Sequence, residues 1–184
     1  MPLTDIVAPV LDLPEVAAWP EMADAFTHAM TGHRIKLWEF PVQACQAVGG
    51  DESSAIPAAA AISCLQLSLM LIDDMLDEDP RGAYHQLGQA ATANMAFAFQ
   101  SAAFRVLADA PVEAERRAAV HQSMAQMTLV VALGQYLDSR NLDNEEGYWR
   151  VAETKSAPYF GSALQIGALL GDAPPDVAQR LYEI

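Results

Sequence analysis

Basic side chains are scarce in this chain: ten lysines and arginines stand against 24 aspartates and glutamates, a formal net charge of −14. Without a basic cluster such a surface has little to offer a nucleic-acid backbone or an anionic bilayer, and no such cluster is found. Cysteine is almost missing too. Cys45 and Cys64 stand alone in apolar surroundings with no CxxC spacing, so they read as buried free thiols and point to a reducing, cytoplasmic compartment. The N-terminal stretch MPLTDIVAPVLDLPEV has no basic segment followed by an apolar one, hence no visible secretory signal. The run from Ala55 to Ile72 approaches membrane-spanning length, but Pro57, Ser63, Gln66 and Ser68 interrupt it and acids close it without basic flanks. It reads as a buried core helix, and no transmembrane segment is expected. The alternation of a half-buried strand is also lacking.

What the sequence does have is helical periodicity. Its 184 residues, 52% of them hydrophobic, suffice for one well-cored domain over residues 1–184. Ala, Leu, Met, Gln and Glu dominate, and the breakers fall in short clusters: GGDESS at 49–54, DPRG at 79–82, DAP at 109–111, SRNLDNEEG at 139–147 and GDAPP at 171–175. Helices are therefore predicted near 14–30, 33–48, 54–78, 83–108, 112–138, 145–170 and from 175 onward. Short links between long helices favour antiparallel neighbours, so the expected class is an all-α antiparallel bundle.

One stretch raises a chemical question. QLSLMLIDDMLDEDPRG, residues 66–82, runs from an apolar helix into Asp73, Asp74, Asp77, Glu78 and Asp79. Ile62, Leu65, Leu69, Ile72 and Leu76 recur at three- and four-residue steps as a core stripe, with Gln66, Met70, Asp73 and Asp77 beside it. Like charges at i, i+4 repel, and acids at a helix C-terminus oppose its dipole. A hard divalent cation would remove both penalties, since Mg²⁺ prefers one or two carboxylates plus water and phosphate oxygens. A solvated acidic helix end is the alternative reading, and spacing alone leaves both open.

These residues and four companions resemble the trans-isoprenyl diphosphate synthase (polyprenyl synthetase) family, enzymes of the farnesyl and geranylgeranyl diphosphate synthase type. DDMLD at 73–77 is similar to the family's first DDxxD motif, and RG at 81–82 to the end of its Arg-Arg-Gly. GHRIK at 32–36 resembles the Gly-Lys-Arg-x-Arg segment that binds isopentenyl diphosphate, and Gln66 stands where the family has a His or Gln. GQYLD at 134–138 resembles Gly-Gln-x-x-Asp, and TKSAPYFGSALQIGALLG at 154–171 the Lys-Thr helix facing the allylic diphosphate.

The resemblance implies a Mg²⁺-dependent prenyltransferase that ionises an allylic prenyl diphosphate and condenses it with isopentenyl diphosphate. Asp73 and Asp77, with Asp74 as a partial ligand, would hold the metal. Gly32, His33, Arg34, Lys36, Gln66, Arg81, Gln135 and Ser156 would bind substrate, Arg81 through its planar fork, while Glu78 and Asp79 would face water. Lys155 would take a catalytic part at the allylic diphosphate, beside a kink imposed by Pro158. Ser68 and Leu69, where short-product relatives carry aromatics, would set chain length. Without an aromatic there the product would have twenty carbons or more, unless Phe97, Phe99 or Phe104 supplies a floor. The resemblance also implies a homodimer, or a heteromer with a related subunit.

There are departures from the family pattern. Ile72 replaces a frequent His, Pro80 the first Arg of Arg-Arg-Gly, His33 a Lys, and Ala93-Asn94 resemble a degraded Gly-Asp. The second aspartate-rich motif is missing, so the chain reads as the N-terminal portion of the fold. A class I terpene cyclase and a non-catalytic partner subunit of a prenyl synthase therefore remain as alternatives. A di-metal carboxylate bundle would want Glu-x-x-His pairs, which are absent.

Overall fold

The apolar run ahead of the acids is the axis of the fold. In the computed structural model, which describes residues 1–32, 36–140 and 144–184, the chain forms α1 (Leu3–Leu11), α2 (Pro14–Ala17), α3 (Pro20–Thr31) and α4 (Glu39–Ala47). A 3₁₀ turn at Glu52–Ala55 leads into α5 (Ile56–Leu76), followed by α6 (Tyr84–Leu87), α7 (Gln89–Ala108), α8 (Ala114–Asp138) and α9 (Glu145–Val151). A π-helical turn at Ala152–Ser156 then joins α9 to α10 (Ala157–Leu170), and α11 is Pro175–Tyr182. Among the described residues there is no strand, as the all-α expectation requires.

Residues 58–65 of α5 are buried on every side, which a surface helix never is. By length and composition Glu52–Leu76 could cross a membrane, but 67% of its most apolar stretch is buried inside the protein, as a core helix requires. α7 lies along α5, tied to it by the Ser68 hydroxyl, which donates to Ala96 O at 2.8 Å. From the other side α10 is fixed by the Tyr159 hydroxyl, donating to Ile62 O at 2.6 Å. Phe26 of α3 and Phe99 of α7 stack at 6.0 Å at the base of this core. Cys45 and Cys64 are both buried and unpaired, and desolvation pushes both thiols up, so they remain protonated.

Several predicted boundaries shift for local reasons. The helix expected at 14–30 breaks at Trp19, because Pro20 opens α3 at its first position, where a missing amide costs nothing. α1 lies ahead of the first predicted helix, and Ile6 and Val10 bury one face of it. Gly88, at φ 82°, divides the segment 83–108 into α6 and α7. The segment 145–170 is interrupted by the π turn just ahead of Pro158, whose ring would clash with the carbonyl four residues back. α5 ends earlier than 78: Glu78 takes a left-handed φ of 52° and Asp79 N–H closes onto Asp74 O at 2.9 Å. The core stripe is corrected at one position. Ile62 and Leu65 are fully buried, Leu69 and Ile72 pack partly buried against the core and also line a groove, and Leu76 is 52% exposed in that groove's wall.

α4 and α10 cross at backbone contact. A Cβ at Gly167 would lie 2.2 Å from Pro41 O and 2.4 Å from Pro41 Cα, neither of which can yield as a flexible side chain would. Gly167→Ala should therefore lower the unfolding free energy by about 3 kcal/mol in urea titrations. In an uncrowded helix the same change would stabilise by roughly 0.5–1 kcal/mol, so the sign alone tests the crossing.

Candidate active site

α8 approaches the π turn so closely that only glycine fits at the crossing: a Cβ at Gly134 would lie 2.4 Å from Lys155 N and 2.6 Å from its Cα. This proximity brings the Lys155 ammonium between two carboxylates. Its Nζ donates to Asp73 Oδ1 of α5 at 2.8 Å and to Asp138 Oδ2 of α8 at 2.5 Å. Gln135, three residues before Asp138 and on the same face of α8, donates through Nε2 to the same Asp73 Oδ1 at 2.6 Å. The side chains of Lys155, Asp138 and Asp73 are 23%, 29% and 39% exposed. Burial by itself would lower the Lys155 pKa, but the hydrogen bonds to Asp138 and Asp73 outweigh it and the value is raised. The contribution of the charged form is thus complete below the ordinary lysine pKa and is lost only as pH rises through the elevated folded value. At neutral pH the ammonium is charged.

The cluster opens on a cavity of about 240 Å³. Of the residues singled out from sequence, Gln66, Leu69, Asp73, Gln135, Lys155 and Ser156 line it together, drawn from α5, α8 and the π turn. Among the described residues Lys155 is the one cationic residue in that lining. Gln66 Oε1 is buried with no hydrogen-bond partner among the described residues. With its amide turned over, the same position offers a donor.

A second cavity, a groove of about 620 Å³ between α5, α7 and α8, shares Leu69 and Gln135 with the first. Ser68, Ile72 and Leu76 form one wall and Phe104 lies in its lining. The three candidate floor aromatics separate here: Phe97 is 70% exposed, Phe99 is fully buried, and Phe104 lines the groove, stacked on His121 at 6.0 Å.

Other sequence-derived residues fall elsewhere. Arg81 is 74% exposed and its guanidinium forks onto Asp79, with Nε 3.1 Å from Oδ1 and a terminal nitrogen 2.8 Å from Oδ2. Asp79, expected to face water, is therefore only 22% exposed and holds Arg81. That hydrogen bond raises the Arg81 pKa. Gly32 caps α3, and Lys36 is exposed, one residue from Leu37 in the cavity wall. His33 and Arg34 lie outside the described residues.

Asp73, Asp74 and Asp77 do not gather into a three-ligand cage, and among the described residues no three acidic, histidine or cysteine side chains do. Asp74 lies against the following turn, where a Cβ at Gly82 would come within 3.1 Å of its own Cβ. Asp73 and Asp77 nonetheless suit a hard divalent cation. Both bonds to Asp73 fall on Oδ1, leaving Oδ2 without a hydrogen bond among the described residues, and Asp77 is exposed one turn on. Mg²⁺ asks for one or two such carboxylates and takes its other oxygens from phosphate and water. Asp138 was passed over in the sequence, although it closes the GQYLD stretch and its spacing from Gln135 put it on the same helix face.

A family model described as polyprenyl synthetase matches residues 22–184. A geranylgeranyl diphosphate synthase of Methanosarcina mazei is 30% identical over 151 residues, covering 77% of this chain and 47% of the relative. The octaprenyl diphosphate synthase of Escherichia coli is 26% identical over 156 residues, covering 83% and 48%. The chain thus spans about half the length of the curated relatives it matches. Among solved structures, a geranylgeranyl pyrophosphate synthetase from the archaeon Geoglobus acetivorans superposes with a TM-score of 0.83 at 22% identity, over 98% of this chain and 61% of that one.

The pairing of Lys155 with Asp138 is open to a double-mutant cycle. Lys155→Met and Asp138→Asn, alone and combined, should show a coupling free energy of about 1 kcal/mol in denaturant unfolding, as for a partly exposed ion pair with a short hydrogen bond. Strict additivity would mean that the pair contributes nothing to stability.

Proposed function

The chain belongs to the polyprenyl synthetase family, and from that premise we propose that it elongates an allylic prenyl diphosphate by condensation with isopentenyl diphosphate. The observation that carries this reading is the junction of the two cavities: a polar mouth with Asp73, Gln135 and Lys155 opens across Leu69 onto an apolar groove. Such a shape suits an amphiphile with an anionic head and a hydrocarbon tail. The names of the relatives, geranylgeranyl and octaprenyl diphosphate synthase, support the same substrate class.

In this reading Lys155 binds the allylic diphosphate, with Gln135 and Ser156 beside it as neutral donors. Asp73 and Asp77 would hold Mg²⁺, which would supply Lewis-acid assistance to departure of the diphosphate. The allylic carbon–oxygen bond breaks with its electron pair leaving on the diphosphate. The isopentenyl double bond then attacks the allylic carbon, and a proton leaves the new unit. Leu69, Met70, Tyr159 and Phe160 wall the mouth and exclude water that would otherwise capture the cation. Gln66 and Lys36 stand on the side proposed for the isopentenyl diphosphate. Arg81 joins them only by exchanging Asp79 for phosphate, which its exposure permits.

Incubation with Mg²⁺, labelled isopentenyl diphosphate and allylic diphosphates, with and without a related prenyl synthase subunit, should give elongated prenyl diphosphates. Asp73→Asn should cut the rate by about 10²-fold or more, the scale of losing a principal electrostatic contact in the transition state. Cyclised hydrocarbons formed without isopentenyl uptake would favour a cyclase.

The groove runs along α8 from Ala125 to Ser139, about 20 Å of helix, and has no aromatic side chain at Ser68 or Leu69. We assign it the tail and expect products of twenty carbons or more. Leu69→Ala, which widens the neck between the cavities, and Phe104→Ala, which opens the far end, should each shift the products to longer chains by chromatography. An unchanged distribution in both would remove the groove from the reaction.

A further inference from the structure

The cation of the acid site is already present in the protein. Lys155 Nζ lies within hydrogen-bonding reach of Asp73 Oδ1 and Asp138 Oδ2, so two carboxylates from different helices share one ammonium, and the cluster of three carries a single net negative charge. A divalent ion arriving at Asp73 would meet that ammonium across one carboxylate. Like charges so close repel strongly where water is partly excluded, so the ammonium weakens the hold of these carboxylates on a bare metal ion.

The backbone around Lys155 cannot relieve the conflict. The π turn is clamped against α8, where even a methyl group at Gly134 would clash with Lys155 N, and Thr154 Oγ1 bonds back to Arg150 O at 2.7 Å. What is free to move is the four-carbon side chain, and the cavity beside it gives the ammonium room to swing toward Ser156 and Gln66. Gln135 stays on Asp73 Oδ1 when Lys155 leaves, so the carboxylate keeps its orientation.

We propose that Lys155 is a resident counter-ion that keeps divalent metal off Asp73 until a diphosphate in the cavity draws the ammonium away, so that metal and diphosphate bind with strong positive coupling. This rests on the reading that Asp73 holds a divalent cation. The coupling is reciprocal: whatever the diphosphate does for metal affinity, the metal does for diphosphate affinity. It also places the order of events in one side chain, without a moving loop.

The test uses Mn²⁺ as the metal probe, its free fraction read by electron paramagnetic resonance, with and without inorganic diphosphate and no turnover. Wild-type protein should bind Mn²⁺ weakly alone and at least tenfold more tightly once diphosphate is present, after correction for the Mn²⁺–diphosphate complex. Lys155→Met should bind Mn²⁺ alone about tenfold more tightly than wild type and lose most of the enhancement, while Lys155→Arg, which keeps the charge, should bind as weakly as wild type. Circular dichroism and the thermal midpoint establish that each variant is folded. Equal Mn²⁺ affinity in wild type and Lys155→Met, with Asp73→Asn still weakening it, would overturn the counter-ion role and leave the metal reading standing. If Asp73→Asn changes nothing in any background, the metal reading fails and the counter-ion proposal with it.

Discussion

One ammonium group joins three separate parts of the bundle. Lys155 takes its backbone position from the π turn, its first carboxylate from the end of α5 and its second from the end of α8. The arrangement depends on a steric condition as much as on charge, since Gly134 lets α8 come to backbone contact with the turn. A side chain there would hold the lysine away from both acids. Because Gln135, the next residue, also reaches Asp73 and forms part of both cavity walls, the contact that fixes the lysine fixes the junction between polar mouth and apolar groove.

In the proposed reaction that junction is where so acidic a protein takes an anionic head group. Net charge is a property of the whole surface and acts at long range, where salt screens it within roughly 10 Å. At the mouth what matters is one desolvated ammonium and a few amide and hydroxyl donors at fixed positions. Among the described residues the groove beyond is lined by uncharged side chains. A negative exterior and a single ammonium at the mouth, shared by two carboxylates, are compatible because they act over different distances.

Helical periodicity made the elements legible, and much of the site with them. Gln66, Asp73, Gln135 and Lys155, far apart in sequence, were singled out and do share one cavity. What stayed hidden has identifiable causes. An apolar stripe shows which face of a helix avoids water but not what covers it, so it does not reveal that Leu69 and Ile72 wall a groove as well as touching the core, or that Leu76 leaves the core for that groove. A proline signals a break without its form, and the turn ahead of Pro158 widened into a π turn where a simple kink was expected. Arg81 looked free because its partner, Asp79, lies two residues away, a contact that a turn makes and a helix does not. Asp138 closed a stretch already singled out, but an acid on an exposed helix end gives no sign of a lysine arriving from another element.

The crowd of acids after α5, which no single role explained, divides by geometry. Asp73 faces the cavity and takes its counter-charge from Lys155. Asp74 packs beside the following turn at Gly82, Asp77 caps the helix, Glu78 adopts the left-handed conformation that ends it, and Asp79 binds Arg81. A helix C-terminus with no basic residue in its last turn is unfavourable for this much negative charge when considered alone. The remedy is tertiary and local at once: one cation from the π turn reaches the inner acid and one from the next turn the outer, and Asp77 is left exposed between them. An end of α5 neutralised by its own lysines would be more stable as an isolated helix, but it would have no open carboxylate to give to a metal ion.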